Sequence, residues 1–349
     1  MLRRRDLLPF LALTGTFPGL CHARAARAAE PVPRLDLITY SDYQWTGVAV
    51  SREGRVFVTF PTLSEFPSFH VGELKGGVPV PLLDRETNKS FTSLTGIYLD
   101  EHDRLWVLDS GKLEGLPAKA KKAKLVQIDL RRNMVHRTFP IQSNLITPIS
   151  DLQDLRIDVE HNCAYISDGG AGGILAIDLR SGSQWLALDR TVEQTRANAS
   201  FIAYPHGNYM PHAPHVNGMT LSEDGKALYF TPLIETRIFT IPTEVLANRG
   251  LTSDQRRKHI RILAEGIHPS AGMVVRKGVI YMGDLQNARL MTYSMTTRRA
   301  SDLPYAVRFH WADDFAKDAN GNIWFTESEN DIQVEKRYRY RLYRLTFHD

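Results

Sequence analysis

Between Leu152 and Asp168 the chain alternates apolar and polar residues in two short runs. The first run, residues 155–159, alternates strictly and is followed by a polar turn at residues 160–162. The second run, residues 163–167, is mostly apolar and ends on Asp168. Alternation with a period of two, interrupted by a short polar turn, predicts a β-hairpin.

The same pattern occurs six times along the chain, each time beginning near a glycine or an aspartate. We call this residue the marker of each unit: Gly47, Gly96, Asp154, Gly218, Gly272 and Asp314. The markers follow one another at intervals of 49, 58, 64, 54 and 42 residues, and a further candidate strand follows most hairpins. Four-stranded units repeated at this spacing predict an all-β, six-bladed β-propeller.

Two further expectations follow from the repeat. Inner strands crowd together at a propeller axis, so we expect the small marker residues to permit close backbone approach there. The N-terminal strand near residues 35–40 has no blade of its own. We expect it to complete the last blade, which leaves the ring without an open edge.

Residues 1–28 resemble a cleaved export signal rather than part of the fold. Arg3, Arg4 and Arg5 precede an interrupted apolar run that is too short to span a membrane, and small residues suited to cleavage follow. The Arg4-Arg5 pair favours the bacterial twin-arginine signal over an ordinary secretory one. We therefore expect residues 29–349 to form a single propeller domain in the periplasm or outside the cell.

Removing this segment changes the charge of the protein. The five arginines and one aspartate of residues 1–28, taken from 43 basic and 39 acidic residues, leave 38 of each. A chain without net positive charge gives no indication of nucleic-acid binding. Only Cys163 of the two cysteines remains, so no disulfide within the chain is expected, and a buried thiol in a strand is predicted to be inert.

The residues just before the markers are expected to point into the mouth of the central channel. Together with their neighbours and the loop at residues 196–215, which is rich in aromatic residues and histidines, they give the candidate ligand-binding residues: Thr46, Thr95, Gln153, Asp154, Tyr204, His215, Asn217, Trp311, Asp313 and Asp314. The catalytic candidates among these are Asp154, Asp313, Asp314 and His215. Aromatic walls with a few carboxylates and amides suit a small organic ligand that is aromatic or cationic.

Three other aspartates end the second strands of their hairpins. We interpret Asp109, Asp168 and Asp284 as turn and cap groups, and expect them at the opposite end of each hairpin from the residues before the markers.

Several of these segments resemble the Yellow/major royal jelly protein family. The resemblance rests on residues 105–111 (LWVLDSG), 124–130 (KLVQIDL), 154–158 (DLRID) and 164–168 (AYISD). It implies a secreted six-bladed propeller. Insect relatives are associated with dopachrome conversion in melanin chemistry and with the binding of biogenic amines.

The chain is similar, more distantly, to the gluconolactonase/regucalcin family, which holds a divalent metal on the axis with Glu, Asn, Asn and Asp. The matching positions here are Thr46, Gln153, Asn217 and Ala271. Only Asn217 is retained and both carboxylates are missing. Divalent cations such as Ca²⁺ prefer anionic oxygen, so no cofactor is predicted unless Asp154, Asp313 and Asp314 form a different metal site.

The leading hypothesis is a monomeric exported propeller that binds a small molecule at the axial mouth, with no nucleic-acid partner and no membrane span. If it is an enzyme, a carboxylate or histidine there would move a proton, as in dopachrome-tautomerase-like isomerisation. The alternatives are a metal-dependent lactonase and a non-catalytic scaffold for protein interactions.

Overall fold

A computed structural model describes residues 32–62, 67–113, 116–118, 122–204, 207–330 and 339–348. The predicted export signal lies outside the described residues. Alternating segments pair as antiparallel strands throughout, and six four-stranded sheets result. The six-bladed β-propeller predicted from the repeat is therefore confirmed.

The blades follow one another along the chain. Blade 1 contains β2 (Gly47–Val50), β3 (Val56–Thr59), β4 (Val71–Lys75) and β5 (Val78–Pro81). Blade 2 contains β6 (Leu94–Leu99), β7 (Leu105–Asp109), β8 (Lys124–Asp129) and β9 (Met134–Pro140). Blade 3 contains β10 (Leu152–Asp158), β11 (Cys163–Asp168), β12 (Ile174–Asp178) and β13 (Gln184–Leu188).

The second half repeats this order. Blade 4 contains β16 (Val216–Leu221), β17 (Ala227–Pro232), β18 (Arg237–Pro242) and β19 (Arg261–Glu265). Blade 5 contains β20 (Met273–Arg276), β21 (Val279–Asp284), β22 (Arg289–Ser294) and β23 (Arg299–Asp302). Blade 6 contains β24 (Ala312–Lys317), β25 (Ile323–Glu327), β26 (Tyr340–Thr346) and the N-terminal strand β1 (Arg34–Ser41).

The strand β1 closes the ring. β1 pairs antiparallel with β26 from Arg34 opposite Thr346 to Ser41 opposite Tyr340. The outer edge of blade 6 is thus made from the N-terminus and its other strands from the C-terminus. The predicted closure is confirmed, and it covers the edge that β26 would otherwise expose.

The remaining elements are short. A small hairpin, β14 (Ile202–Tyr204) and β15 (Gly207–Tyr209), lies in the long loop before blade 4 and was not predicted. Within the described residues the helices are α1 (Arg85–Lys89), α2 (Thr243–Ala247) and α3 (Ser253–Arg257), with 3₁₀ turns at Ser143–Leu145 and Glu193–Thr195. In the described part of the chain no helix is long and apolar enough to cross a membrane.

Apolar side chains fill the spaces between neighbouring blades. Between blades 2 and 3, for example, Leu155 and Ile157 of β10 belong to one buried cluster with Trp106 and Leu108 of β7. Each sheet therefore buries both faces, as radial stacking requires. Cys163 is packed in the next cluster, and burial raises the pKa of its thiol to about 12, as expected for an inert residue.

The marker glycines allow neighbouring inner strands to approach closely. A Cβ atom on Gly218 would lie 2.5 Å from the carbonyl oxygen of Ala271 in the next blade. A Cβ atom on Gly272 would lie still closer to the carbonyl oxygen of Asp313. The expectation that only a small residue fits at these positions is met, and the residues before the markers are held side by side around the axis.

Candidate functional site

A cavity of about 70 Å³ opens at the end of the channel where the inner strands begin. Eight of the ten predicted ligand-binding residues line it: Thr46, Thr95, Gln153, Asp154, Asn217, Trp311, Asp313 and Asp314. They come together because each inner strand starts at this end and each blade contributes its residue before the marker. We call this cavity the axial mouth.

The other two predicted residues, His215 and Tyr204, are not among the described residues that line the axial mouth. His215 does not line the axial mouth; its Nδ1 accepts a hydrogen bond from the Ala197 amide at 3.1 Å, so it helps to fix the loop. Tyr204 lies in β14, and its side chain is not among the described groups. Tyr209 of β15 supplies the wall instead, since its ring packs edge-on against Trp311 with centroids 5.5 Å apart.

The marker aspartates of blades 3 and 6 hold neighbouring blades together. Asp154 Oδ1 accepts from the Leu155 amide at 2.7 Å, and Oδ2 accepts from the Met219 amide of blade 4 at 2.9 Å. Asp314 Oδ1 accepts from the Phe315 amide at 2.9 Å, and Oδ2 accepts from the Val48 amide of blade 1 at 3.0 Å. Each carboxylate reaches the amide that follows a marker glycine, Met219 after Gly218 and Val48 after Gly47.

A hydroxyl on the second strand completes this arrangement in both blades. Ser167 Oγ accepts from the Asp154 amide and donates to the Asn217 carbonyl, both at 3.0 Å. Thr326 Oγ1 accepts from the Asp314 amide at 3.3 Å and donates to the Thr46 carbonyl at 2.6 Å. We call each set of carboxylate and hydroxyl an interblade clip. Blades 3 and 6 stand opposite each other in a ring of six, so the two clips are related by a pseudo-twofold axis.

Only the blade 3 clip carries an arginine. Arg156 lies two residues after the marker, is 2% exposed, and donates from Nη1 to Asp154 Oδ1 at 2.5 Å. Its guanidinium lies over the Tyr98 ring at 5.4 Å. Burial lowers the pKa of Arg156, but the Asp154 and Asp314 charges outweigh this and raise it.

Burial also raises the pKa values of the three carboxyl groups at the mouth, Asp154, Asp313 and Asp314. It raises the pKa of Asp154, against the opposing charge of Arg156 and the amide donors. Burial and the charge of Asp154 raise the pKa of Asp314 to about 8. Burial raises the pKa of Asp313 to about 7, although the nearby Ser328 hydroxyl and Trp311 lower it.

Asp313 differs from the two marker aspartates in having an oxygen without a partner. Its Oδ2 is buried, and neither it nor the buried Ser328 Oγ makes a hydrogen bond of good geometry within the described residues, although the Ser328 hydroxyl and the Trp311 side chain lie close enough to Asp313 to lower its pKa. The adjoining turn is strained, because Trp311 adopts a left-handed φ of 65°, which is unusual for a bulky residue. The Asp313 carboxyl is therefore incompletely paired where it lines the mouth.

A charged cluster forms one side of the rim. Lys112 Nζ lies 2.9 Å from Asp151 Oδ2, and His212 Nε2 lies 3.2 Å from the same oxygen. Gln153 donates to Asp151 Oδ1 at 2.8 Å. Burial raises the pKa of Asp151, but His212 and Lys112 outweigh this and lower it. Sequence reasoning missed Lys112 and Asp151 because they precede no marker and come from loops of different blades.

The aspartates that end the second strands lie at the mouth end, so the predicted location was wrong. Leu152 pairs with Asp168 and Leu94 pairs with Asp109, because an antiparallel hairpin brings the end of its second strand beside the start of its first. Asp109 accepts from the Thr92 and Ser93 amides. The cap function was therefore interpreted correctly.

Comparison with known proteins assigns the family. The family described as Major royal jelly protein matches residues 92–341, which is more than half of the chain. The chain belongs to the major royal jelly protein family. The resemblance drawn from the short segments of blades 2 and 3 is thus confirmed.

Within the major royal jelly protein family, the chain is similar to insect Yellow proteins. It is 24% identical to "Protein yellow" of Drosophila guanche over 268 residues, covering 68% of this chain and 45% of that protein. The identity to the Drosophila melanogaster protein is also 24%, over 264 residues, with coverages of 67% and 47%. The chain therefore matches less than half the length of these relatives.

Solved structures share the fold of this major royal jelly protein family member at low sequence identity. A gluconolactonase from Xanthomonas campestris superposes with a TM-score of 0.58 and 13% identity, covering 90% of each chain. Virginiamycin B lyase from Staphylococcus aureus gives a TM-score of 0.56 and 13% identity, covering 90% of this chain and 99% of that one. At these identities the likeness establishes the propeller fold alone.

The metal site of gluconolactonase-type propellers does not fit the residues present. Thr46, Gln153, Asn217 and Ala271 line the mouth at the four ligand positions, and none is a carboxylate. The oxygens of Asp154 and Asp314 already accept amide hydrogen bonds, and Arg156 places a positive charge beside Asp154. Among the described residues no three His, Cys, Asp or Glu side chains gather as metal ligands. A cation would have to displace amide donors and overcome a buried guanidinium.

Proposed function

We propose that the protein binds a small organic molecule bearing an ammonium group at the axial mouth. The observation that carries the proposal is the incompletely paired carboxyl of Asp313, whose buried Oδ2 makes no hydrogen bond of good geometry in the described part of the chain. Leaving a buried acceptor unpaired costs free energy, and a ligand that donates to it recovers that cost. An ammonium group supplies both the donor and the matching charge.

The shape of the mouth limits how the ligand enters. A cavity of about 70 Å³ has room for only a few water molecules, so it admits the head of a ligand and not a whole ring system. Tyr209, Trp311 and Pro211 line the same cavity and offer apolar surface to the body of the ligand. An arylalkylamine matches this division, with its ammonium inside and its ring against the aromatic pair.

Asn217 gives the mouth a second polar contact. Its side chain lines the cavity, and its side-chain amide makes no hydrogen bond to the described residues; only its backbone carbonyl accepts one, from Ser167 Oγ. By contrast, Thr95 donates to the Leu152 carbonyl and Gln153 donates to Asp151. Asp313 and Asn217 are therefore the polar residues that we assign to ligand recognition.

The test compares a cationic ligand with a neutral one of the same shape. Binding of 2-phenylethylamine and of 2-phenylethanol is measured by calorimetry at pH 6 and pH 8. We expect the amine to bind more tightly at pH 8, because Asp313 must be ionised to pair with it and its pKa is about 7. Asp313→Asn should weaken amine binding by about tenfold or more and reduce its pH dependence, of which Asp314, with a pKa of about 8, retains a part.

Asp224→Asn is the matched control, since Asp224 is exposed and lies at the other end of the channel. Asn217→Ala should weaken binding less than Asp313→Asn does, because a neutral amide contact is lost. Equal binding of the amine by wild type and by folded Asp313→Asn would refute the proposal.

A second candidate function is proton transfer on such a ligand, as in a dopachrome-tautomerase-like isomerase. It is favoured by the Asp313 pKa of about 7, which suits a general acid or base near neutral pH. The isomerase would be supported if Asp313→Asn no longer isomerises dopachrome. Asn217→Ala should in the same experiments still bind the amine measurably. Isomerisation no faster than in buffer for wild type would exclude it.

The remaining expectations stay proposals. A metal-dependent lactonase is disfavoured by the residues at the mouth, and an equal lactone hydrolysis rate with and without chelator would count against it. A non-catalytic scaffold predicts that a partner protein, and not the amine, protects the mouth. We propose that residues 1–28 direct export to the periplasm or medium and that the remainder acts as a monomer. Fractionation and sedimentation of the processed protein test these points.

A further inference from the structure

The channel has a second opening that the proposed function does not use. At the end opposite to the axial mouth, the far halves of all six inner strands enclose a cavity of about 690 Å³. This volume lies within the range usual for small-molecule sites. Arg156 lines this cavity whereas its partner Asp154 lines the axial mouth, so their ion pair stands between the two spaces.

The inner strands place one cationic side chain, Arg156, in the innermost part of this cavity. Residues two positions after the markers are Ala49, Tyr98, Arg156, Thr220, Val274 and Ala316. All of them line the cavity, and Arg156 is the only charged member. Its neighbours in this ring are small or apolar, apart from Tyr98 and Thr220. The guanidinium is therefore the one charged group in this innermost ring of the cavity.

Part of the Arg156 guanidinium is left for a ligand. Nη1 donates to Asp154 Oδ1 and to the Leu155 carbonyl. Nε and Nη2 donate to no group among the residues described, although the side chain is only 3% exposed. The edge formed by Nε and Nη2 carries two parallel N–H donors, the geometry that a carboxylate accepts in bidentate fashion. The Tyr98 ring supports the plane of the guanidinium.

The rim of this cavity has the opposite charge. Its exposed acidic residues outnumber its exposed basic residues; they are Glu101, Glu160, Glu223 and Asp224 against Arg52 and Lys317. A molecule with several negative charges is repelled by such a rim, whereas a molecule with a cationic end is attracted. A single carboxylate at the depth of Arg156 combined with an ammonium group toward the rim satisfies both regions.

We propose that this cavity is a second ligand site, which binds a small zwitterion such as an amino acid or ω-amino acid through its carboxylate to Arg156. The site is distinct from the axial mouth, so it stands or falls independently of the function proposed there. It uses a different residue, a different ligand group and the other end of the channel.

The probe is 4-aminobutyrate, with butyrate and butylamine as matched compounds that lack one charge each. We expect 4-aminobutyrate to bind more tightly than butyrate, and butylamine to show no binding that depends on Arg156. Arg156→Lys keeps the charge but loses the planar pair of donors. We expect this variant to bind 4-aminobutyrate about tenfold or more weakly, while binding of 2-phenylethylamine at the mouth is retained.

A measurement on the wild-type protein keeps the test decisive if the variant does not fold. The Nε–H signal of Arg156 in a ¹⁵N-arginine-labelled sample should shift on addition of 4-aminobutyrate and not of butylamine. Asp313→Asn should leave this shift unchanged, since it alters only the mouth. The proposal would be overturned if the Arg156 signal does not move at saturating 4-aminobutyrate. It would also be overturned if a folded Arg156→Lys variant binds 4-aminobutyrate as tightly as the wild type.

Discussion

Replacing Asp154 by alanine should destabilise the protein more than replacing Asp314 by alanine, although the two aspartates occupy equivalent places in the interblade clips. Both side chains accept one amide hydrogen bond within their own blade and one from the next blade. The clips differ in one respect, which is the ion pair of Asp154 with Arg156 at 2.5 Å. The comparison therefore isolates the contribution of a buried charge pair.

The expected magnitudes follow from these contacts. Asp314→Ala leaves two amide donors without their side-chain acceptor, at about 1–3 kcal/mol for each one that stays buried, so a loss of about 2–6 kcal/mol is expected. Asp154→Ala removes the same two contacts and also leaves the guanidinium of Arg156 without its counter-charge. Breaking a buried pair from one side costs about 3–5 kcal/mol. Asp314 acts on Arg156 electrostatically and can compensate in part, so we expect an excess of about 2 kcal/mol.

Urea unfolding followed by tryptophan fluorescence measures the difference, provided that the dependence on urea is the same for all variants. The double variant Asp154→Ala/Arg156→Met removes both charges and should bring the loss close to that of Asp314→Ala. If Asp154→Ala and Asp314→Ala unfold at the same urea concentration, the ion pair adds nothing to the clip and the reasoning fails.

Four other predictions concern the mouth, the close approach of strands, the thiol and the ring closure. The free energy of unfolding should fall as the pH rises from 5 to 8, because the pKa of Asp313 is about 7 in the folded state and lower in the unfolded chain. Unfolding curves of Asp313→Asn should show a smaller fall. Gly272→Ala should lose about 1–3 kcal/mol in the same assay, because its methyl group meets the Asp313 carbonyl oxygen, and a neutral result would contradict the close approach. Cys163 should react with a thiol reagent only after unfolding, since burial raises its pKa to about 12, and rapid labelling of the folded protein would show that it is accessible. Deleting residues 34–41 should expose β26 and cause aggregation detectable by light scattering, whereas a monodisperse product would mean that β1 is dispensable.

The sequence predicted the fold because the information lies within single hairpins. Alternation and turn residues occur in one short stretch, and the spacing of Gly47, Gly96, Gly218 and Gly272 reports the repeat. The hairpin β14–β15 escaped prediction because its two strands have only three residues each. Local patterns of that length do not distinguish a strand from a loop.

The site was predicted only in part because its contacts cross between blades. The positions before the markers located the mouth, so Asn217 and Asp313 could be named in advance. No sequence pattern showed that Asp154 and Asp314 would bind amides of the following blade while Asp313 Oδ2 would remain unpaired. The distinction between a carboxylate that joins blades and one that faces a ligand depends on the neighbouring backbone, which only the assembled ring supplies.

The pairing of β1 with β26 also constrains the order in which the protein folds. Arg34 and Thr346 are opposite one another although 312 residues separate them, and contacts of such long range form late because closing a long loop is entropically costly. A nascent chain can build blades 1 to 5 from local hairpins as they emerge. Blade 6 cannot be completed until β26 has been made, so the pairing of β1 with β26 joins the earliest-made to the latest-made of the described strands.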